Sequence, residues 1–276
     1  MLEGDEYPSA HDDPRAKFLH YRPHDVLLTS LMHDHVNIYP TLESYEAPFK
    51  QLTHLLKEDG LFLACLDNGD MRELCADIRA RTVTYSLHNA LADWHVRDIE
   101  FGETTSFTLL RGWEPTMTFT TQLLGAHNVQ NVVGAVVYLL ERELATLSEI
   151  RRGIASFRGI ERRLDKKTKR SRVAAYEGFG SSDAKARSAI EAMRAHFPDR
   201  RLVVIFEPHT FSWRNRTTAH WYDQTFRGVG ELLIYHSAGQ GKNAEQEISP
   251  TEILKRLERA NVRARSSSTP EETFNL

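Results

Sequence analysis

The chain has 276 residues, a length that predicts one large domain or two of medium size. Hydrophobic residues make up 41% and charged residues 26% of the sequence, so neither a disordered nor a fibrous protein is expected. The formal net charge of −3 leaves no basic excess for non-specific binding, and no nucleic-acid partner is expected. No apolar run approaches the roughly 20 residues that a membrane-spanning helix needs, so no membrane partner is expected either.

Two features of the sequence favour a reducing, cytoplasmic compartment. Cys65 and Cys75 are the only cysteines, which is too few for a disulfide framework. The first residues, Met1-Leu2-Glu3-Gly4-Asp5-Glu6, are acidic and lack the basic and apolar regions of a signal peptide.

Strand-like and helix-like segments alternate through the first ninety residues. Apolar runs predict strands at 24–31, 61–66 and 82–87, and helical spacing of apolar residues predicts helices at 42–58 and 70–80. Such alternation predicts a parallel sheet covered by helices.

The segment from Trp94 to Leu124 has a different pattern. Three β-rich runs are separated by Gly102 and by Trp113-Glu114-Pro115, which predicts a small antiparallel meander. Helical spacing returns at 129–143, and a second helix is predicted at about 147–157.

A densely charged run at 161–172 marks the predicted domain boundary, with domains at 1–158 and 159–276. Most lysines of this run are expected in a solvated turn. Alternation then resumes, and a Rossmann-like α/β domain with a mostly parallel sheet is predicted. Its expected strands are 172–178, 201–208, 231–236 and 261–266, and its expected helices are 183–197, 217–227 and 249–260.

Two clusters near the start of the chain contain metal-ligand residue types. The carboxylates of Glu3-Gly4-Asp5-Glu6, at the end of an expected strand, could hold a hard cation such as Mg²⁺, although acidic clusters are more often solvated surface. Met32-His33-Asp34-His35 follows the strand that ends at Leu31. A histidine at the carboxyl edge of a sheet can ligate a metal or transfer a proton, but a hydrogen-bonded loop is an equally good interpretation.

The run Gly125 to Val133 places three polar residues at the start of a helix with an apolar face. His127 and Asn131 are four residues apart, so they share one face of the first turn and could bind a flat polar group such as a nucleobase. Asn128 could instead simply cap the helix, and for this spacing alone that alternative is the somewhat better one.

Two further groups contain arginines suited to anions. Arg162 and Arg163 stand at the predicted domain junction, and the guanidinium group recognises phosphate in a bidentate manner. The run from Glu207 to Arg216 follows an expected strand and combines His209, Arg214 and Arg216 with aromatic residues, which suits an anionic substrate. The alternative is an ordinary charged surface loop.

In this order, the motifs resemble those of the Mur ligases, the ATP-dependent amide-forming enzymes of peptidoglycan synthesis. The matching segments are E-G-D-E-Y at 3–7, D-H at 34–35, G-x-H-N-x-x-N at 125–131, R-R at 162–163 and E-P-H at 207–209. K-F-x-H-Y-R-P at 17–23 and F-x-G-x-x-R-R-L at 157–164 resemble the branch that joins UDP-N-acetylmuramate to a murein tripeptide. The branch that adds L-alanine is the next most similar.

The resemblance implies a central ATPase domain followed by a Rossmann-like domain, with ATP and Mg²⁺ as cofactors. It implies UDP-N-acetylmuramate and an amino acid or murein tripeptide as substrates. The metal ligands it implies are Glu3, with Glu6 as the alternate, and His35. His127 and Asn131, with Asn128 beside them, would contact adenine, and Arg163 or Arg162 would reach the terminal phosphate. His35, Arg162 and Arg163 would thus be catalytic, and His209, Arg214 and Arg216 would lie near the substrate.

Three departures from the family pattern shape the expected function. The sequence contains no Gly-x-x-Gly-Lys-Ser/Thr phosphate loop, it stops at Leu276 before the family's last Gly-Asp strand, and it replaces an Asp-Asp-aromatic-Gly/Ala-His-His-Pro segment with residues 177–183. We therefore expect a partial ligase that is inactive without a missing N-terminal half. The alternatives are a non-catalytic remnant that binds a nucleotide or partner, and another ligase of the superfamily, such as a folylpolyglutamate or cyanophycin type.

Overall fold

The computed structural model describes residues 1–33, 35, 38–67, 71–76, 78–236 and 247–275. The chain divides into two compact units. The first contains residues 1–100 and 104–157, and the second contains residues 101–103 and 158–276. Among the described residues, no helix has both the length and the apolar character needed to cross a membrane.

A small hairpin opens the first unit, in a region for which the sequence analysis predicted no element. Strand β1 (Pro8–Ala10) pairs antiparallel with β2 (Asp13–Ala16), and a 3₁₀-helix follows at Lys17–His20. The chain before the hairpin lies against this helix, because the N–H of Lys17 donates to the carbonyl of Tyr7 at 3.0 Å.

The first unit is built on a mixed sheet with the strand order β3-β4-β5-β6-β7-β8. Strands β3 to β6 are parallel to one another, and β7 pairs antiparallel with β8. The predicted α/β class, with a parallel sheet extended by antiparallel strands, is confirmed. The strands are β3 (Asp25–Leu28), β4 (Leu61–Cys65), β5 (Arg81–Ser86), β6 (Trp94–Phe101), β7 (Thr105–Arg111) and β8 (Glu114–Thr121).

Helices pack on both faces of this sheet, as the fully buried strand β4 requires. Leu61, Leu63 and Cys65 point into a core shared with α3 (Ala126–Glu141) and α4 (Leu147–Ser156). Phe62 and Ala64 alternate to the opposite face, where the core includes residues of α1 (Leu42–His54) and α2 (Met71–Cys75). The two-residue period of β4 thus divides its side chains between two hydrophobic cores.

Helix α3 makes a close approach to the sheet at Gly134. A Cβ atom built there would lie 2.7 Å from the hydroxyl oxygen of Tyr85 and 3.2 Å from a methyl group of Leu27. Both neighbours belong to strands beneath the helix, so only glycine allows this helix to lie so near.

At the edge of the sheet where β3 and β4 begin, the carboxylate of Asp25 connects these two strands to the last turn of α3. It accepts hydrogen bonds from the backbone N–H of Leu61 at 2.9 Å, from the hydroxyl of Tyr138 at 3.0 Å and from Nε of Arg142 at 3.0 Å. Burial opposes the charge of Asp25, but Arg142, His24 and the other donors lower its pKa to about 2.

The second unit contains a parallel sheet with the order β11-β12-β13 and a separate antiparallel pair of β9 and β10. One face of the parallel sheet packs against helices around the buried Trp213, Tyr222 and Phe226. The elements are β9 (Arg163–Lys166), β10 (Tyr176–Gly178), α5 (Asp183–His196), β11 (Val203–Phe206), α6 (Phe211–Arg214), a 3₁₀-helix (Arg216–Asp223), β12 (Glu231–Tyr235), α7 (Pro250–Arg259), β13 (Ala264–Ser267) and α8 (Pro270–Asn275).

One prediction for this unit is wrong, and it concerns the charged run and the strand after it. Part of it forms β9, which pairs with the short β10, whereas 172–178 was expected to open the parallel sheet. Asp165 and Glu177 face each other across the pair, and Lys167 bonds both carboxylates at 2.6 and 2.8 Å. This cation offsets a repulsion that would otherwise disfavour the pairing.

The helix predicted at 217–227 is a 3₁₀-helix at Arg216–Asp223 rather than an α-helix. Polar side chains bond the local backbone there and compete with α-helical bonding. The side chain of Asn215 accepts from the N–H of Thr217 at 2.9 Å, and the hydroxyl of Thr218 donates to the carbonyl of Asn215 at 3.0 Å. Apolar spacing alone does not reveal these bonds.

We predict that Asp25→Asn lowers the free energy of unfolding at neutral pH by about 2–4 kcal/mol, because it leaves the guanidinium group of Arg142 without its ionised partner. The pKa of Asp25 is lowered from 3.8 to about 2, so its stabilisation is complete above about pH 4 and is lost as pH falls through 2. Urea unfolding followed by circular dichroism at several pH values measures this difference. Asp59→Asn is the control, since the side chain of Asp59 is 77% exposed; equal effects of the two substitutions would contradict the assignment.

Candidate functional site

Glu6 and His35 come together from two separate segments of the first unit. Oε1 of Glu6 lies 2.9 Å from Nε2 of His35, and both side chains are half-buried, with about a fifth of their surface exposed. Burial opposes the charge of Glu6, but the hydrogen bond from His35 and a backbone hydrogen bond hold its pKa below the usual value. The carboxylate is therefore ionised and faces an imidazole nitrogen.

The backbone of His35 adopts an uncommon conformation. His35 has φ +56°, a left-handed conformation that is uncommon for residues other than glycine. Its carbonyl accepts from the N–H groups of Ile38 and Tyr39 at 2.8 and 2.9 Å. The hydroxyl of Tyr39 donates in turn to the carbonyl of Glu6, so this tyrosine bonds both segments.

The structure differs from the sequence expectation in which acidic residue meets His35. Glu6, the alternate choice, makes this contact, whereas Glu3 is an exposed residue. Residues 1–6 themselves form no strand. Among the described residues, no cluster of three or more histidine, cysteine or acidic side chains is arranged to hold a metal ion. Asp34 lies outside the described residues.

The start of α3 carries the predicted nucleotide-contacting residues. His127 is half-buried and Asn131 is exposed one turn later, so they lie along one side of the helix. Asn128 is not the cap: that position belongs to Gly125, with φ +89°, and the side-chain amide of Asn128 donates to the carbonyl of Leu124 at 2.8 Å. The capping interpretation of Asn128 is therefore wrong, and its amide closes the turn before the helix.

Sequence reasoning missed a buried polar cluster beside this helix start. The carboxylate of Asp67 accepts from the backbone N–H of Leu87 at 2.7 Å, from the side-chain amide of Gln130 at 3.1 Å and from the hydroxyl of Ser86. Burial opposes the charge, but these donors hold the pKa of Asp67 below its usual value. One signal could have located it: Asp67 comes two residues after the buried strand β4, at the carboxyl edge where ligands bind in such sheets.

Arg162 and Arg163 lie at the start of the second unit, on its surface. The side chain of Arg162 is 73% exposed, and its Nε is 3.0 Å from Oε1 of Glu177. Arg163 is also exposed and begins β9. Lys167 and Arg162 lower the pKa of Glu177 by donating to its carboxylate, so Arg162 is held by an ionised partner.

The loop after β11 uses two of its three predicted binding residues in local contacts. Nδ1 of His209 lies 3.1 Å from the carbonyl of Glu207, and its ring contacts that of Phe179. Nε of Arg214 donates to the carbonyl of Pro208 at 2.7 Å, which closes the loop. Arg216 is exposed, with its Nε 3.6 Å from a carboxylate oxygen of Glu252.

This loop also contacts the segment that departs from the family pattern. The indole N–H of Trp213 donates to the carbonyl of Gly180 at 2.8 Å, and the hydroxyl of Thr210 donates to the carbonyl of Ser181 at 3.1 Å. Residues 177–183 and 207–214 therefore pack against each other in the second unit.

Comparison with known proteins identifies the first unit by sequence. The family model of the Mur ligase middle domain matches residues 8–139. UDP-N-acetylmuramate–L-alanine ligase of Desulforapulum autotrophicum is 30% identical over 211 residues, which cover 76% of this chain and 46% of that protein. The chain thus spans about half the length of this relative.

Solved structures show the same fold at low sequence identity. UDP-N-acetylmuramate–alanine ligase of Thermotoga maritima has a TM-score of 0.71 at 15% identity, covering 100% of this chain and 61% of that one. MurF ligase of Thermotoga maritima, in complex with ADP, has a TM-score of 0.69 at 14% identity, covering 92% and 55%. A murein peptide ligase of Psychrobacter arcticus has a TM-score of 0.63 at 19% identity, covering 99% and 55%.

The family match covers the sheet, with Asp67 just beyond the carboxyl end of β4, and it extends through the start of α3. The relative described above extends the likeness over three quarters of the chain. On these grounds, the chain belongs to the Mur ligase family.

Proposed function

We propose that this chain forms the nucleotide-binding and C-terminal parts of an ATP-dependent ligase that extends UDP-N-acetylmuramate with an amino acid. The proposed domains are residues 1–158, with the ATP-binding site, and residues 159–276. The observation that carries the proposal is the contact between Glu6 and His35, which unites two distant family motifs at 2.9 Å.

The pair of Glu6 and His35 fits a magnesium ion that is shared with phosphate groups. An ionised carboxylate supplies the hard oxygen that Mg²⁺ prefers, and the ring nitrogen of His35 would join it as a ligand once it no longer donates a proton to Glu6. Two protein ligands suffice for such a site, because Mg²⁺ usually keeps several waters and binds phosphate oxygens. When bound, the ion would neutralise charge on those oxygens.

The proposed reaction has two steps with balanced charge and atoms. A carboxylate oxygen of UDP-N-acetylmuramate attacks the γ-phosphorus of ATP, which releases ADP and gives an acyl phosphate. The neutral amine of the acceptor then attacks the acyl carbon, and phosphate leaves with the proton that the nitrogen loses as the amide forms. The chain contributes positioning and electrostatics: His127 and Asn131 orient the adenine, and Arg162 or Arg163 stabilises the transferred phosphate.

We propose L-alanine as the acceptor. The relative at 30% identity, which matches over three quarters of this chain, is an L-alanine ligase. The motifs at 17–23 and 157–164 favoured the branch that uses a murein tripeptide. The similarity to the L-alanine ligase covers far more of the chain than these two short segments, so it outweighs them. His209, Arg214 and Arg216 are the proposed substrate-facing residues of the second unit.

We expect Glu6→Gln to weaken Mn²⁺ binding in the presence of ADP, measured by electron paramagnetic resonance with Mn²⁺ replacing Mg²⁺. Loss of a group that only orients a ligand weakens metal sites about 10- to 100-fold, so loss of a ligand should cost at least as much. Glu3→Gln, which removes the exposed neighbouring carboxylate, should leave the affinity unchanged. The reverse pattern would show that Glu3 is the ligand.

For His127→Ala and Asn131→Ala, the dissociation constant of ADP should rise about tenfold each, because each removes a polar contact to the base. A titration followed by NMR suits weak binding and reports both affinity and the residues affected. His54→Ala is the control, since His54 is exposed on a different helix. Unchanged ADP affinity in both α3 variants would remove the nucleotide site from this position.

Incubation of the chain with UDP-N-acetylmuramate, ATP, Mg²⁺ and L-alanine should give product at least about 10³-fold more slowly than an intact ligase. The reason is that none of its 276 residues forms the phosphate loop, and loss of one charged group at the transferred phosphate costs about 10³–10⁵ in rate. Mass spectrometry of the nucleotide-sugar product measures this.

Family-like turnover would contradict the predicted inactivity, and faster reaction with a murein tripeptide would overturn the choice of L-alanine. ADP binding without turnover is also the outcome expected for a nucleotide-binding protein that has no catalytic role.

A further inference from the structure

One half-buried carboxylate connects the nucleotide-facing helix to the edge of the sheet. Asp67 follows β4, and its two oxygens accept from the hydroxyl of Ser86, from the N–H groups of Leu87 and His88 and from Nε2 of Gln130. Ser86 is the last residue of β5, whereas Gln130 lies in the first turns of α3. The hydrogen bond between Asp67 and Gln130 is thus a direct polar link from the sheet to the helix.

The side-chain amide of Gln130 is buried, and Cys65 beside it is a weaker acceptor than Asp67. Gln130 is only 7% exposed, and its Nε2 also lies 2.8 Å from Sγ of Cys65. Burial raises the pKa of the Cys65 thiol to about 12, so this sulfur stays neutral and is a weak acceptor. The ionised Asp67 is therefore the strong acceptor for the buried amide.

The position of Gln130 in the helix gives this link a consequence for ligand binding. Gln130 lies between His127 and Asn131, three residues after the first and directly before the second. All three belong to adjacent turns of a regular helix, so fixing the inward-facing Gln130 also fixes the outward-facing pair. Asn131 is exposed while Gln130 is buried, so the helix divides these roles between its two sides.

We propose that Asp67 is a positioning residue for nucleotide binding: through Gln130 it holds the first turns of α3 in the register that presents His127 and Asn131 to the base. This inference rests on the proposed function, which assigns the nucleotide to that helix start. Asp67 itself needs no contact with the nucleotide.

A double-mutant cycle tests the link. Asp67→Asn weakens the acceptor, Gln130→Met removes the donor at similar side-chain volume, and the double variant combines the two changes. Asp93→Asn is the matched control, because the Asp93 carboxylate bonds the N–H and hydroxyl of Thr84 in the same sheet, at 2.7 Å each. Each protein is measured by hydrogen exchange of the amides at 129–133 without ligand, and by NMR titration with ADP.

We expect each single variant to speed exchange of those amides about tenfold and to raise the ADP dissociation constant by a similar factor. The double variant should differ from Gln130→Met by less than about threefold in both quantities, and Asp93→Asn should change neither. Such non-additivity shows that Asp67 acts through Gln130, because two independent structural defects would add.

Three other outcomes would each overturn a specific statement. Unchanged exchange in the single variants, or additive effects in the double variant, would overturn the link between Asp67 and Gln130. Faster exchange with unchanged ADP affinity would overturn its role in nucleotide binding. A wild-type chain that does not bind ADP would overturn the proposed function itself, and the exchange data would still decide whether the link exists.

Discussion

Helix α3 is held to the sheet by one carboxylate near each of its ends, and the arrangement of the first unit depends on these two interactions. Asp67 bonds Gln130 near the amino end, at the carboxyl edge of the sheet. Asp25 bonds Tyr138 and Arg142 near the carboxyl end, at the opposite edge. Both carboxylates also accept backbone N–H groups of the sheet, so each is satisfied and ionised despite partial burial.

The carboxylates of Asp67 and Asp25 have different electrostatic requirements. A negative charge near the amino end of a helix is favoured by the helix dipole, so Asp67 needs only neutral donors around it. A negative charge near the carboxyl end is disfavoured, and at Asp25 the guanidinium group of Arg142 compensates for this. The different partners of the two aspartates thus follow from the direction of the helix between them.

The fold was predictable where apolar periodicity carries the information. The fully buried β4 and the regular α3 both follow from their runs of apolar residues, and the alternation of such segments predicts the α/β class. The 3₁₀-helix at Arg216–Asp223 was not predictable in this way, because Asn215 and Thr218 decide its geometry through side-chain bonds to the backbone. The pair of β9 and β10 depends on Lys167 lying between two carboxylates, which a count of charges does not show.

The candidate site was predictable in its residue types but not in its exact contacts. The motifs indicated a carboxylate near His35, yet the choice between Glu3 and Glu6 depends on where the chain turns before β1. Asp67 and Gln130 belong to no motif that the sequence analysis used, and their pairing requires strands and a helix to be placed first.

The close approach of Gly134 to Tyr85 has a consequence for the motion of α3. Both ends of α3 are bonded to the sheet, and its middle already packs directly against it. Moving the helix away from the sheet would break those bonds, and moving it closer would cause clashes, so we expect its first turn to be rigid.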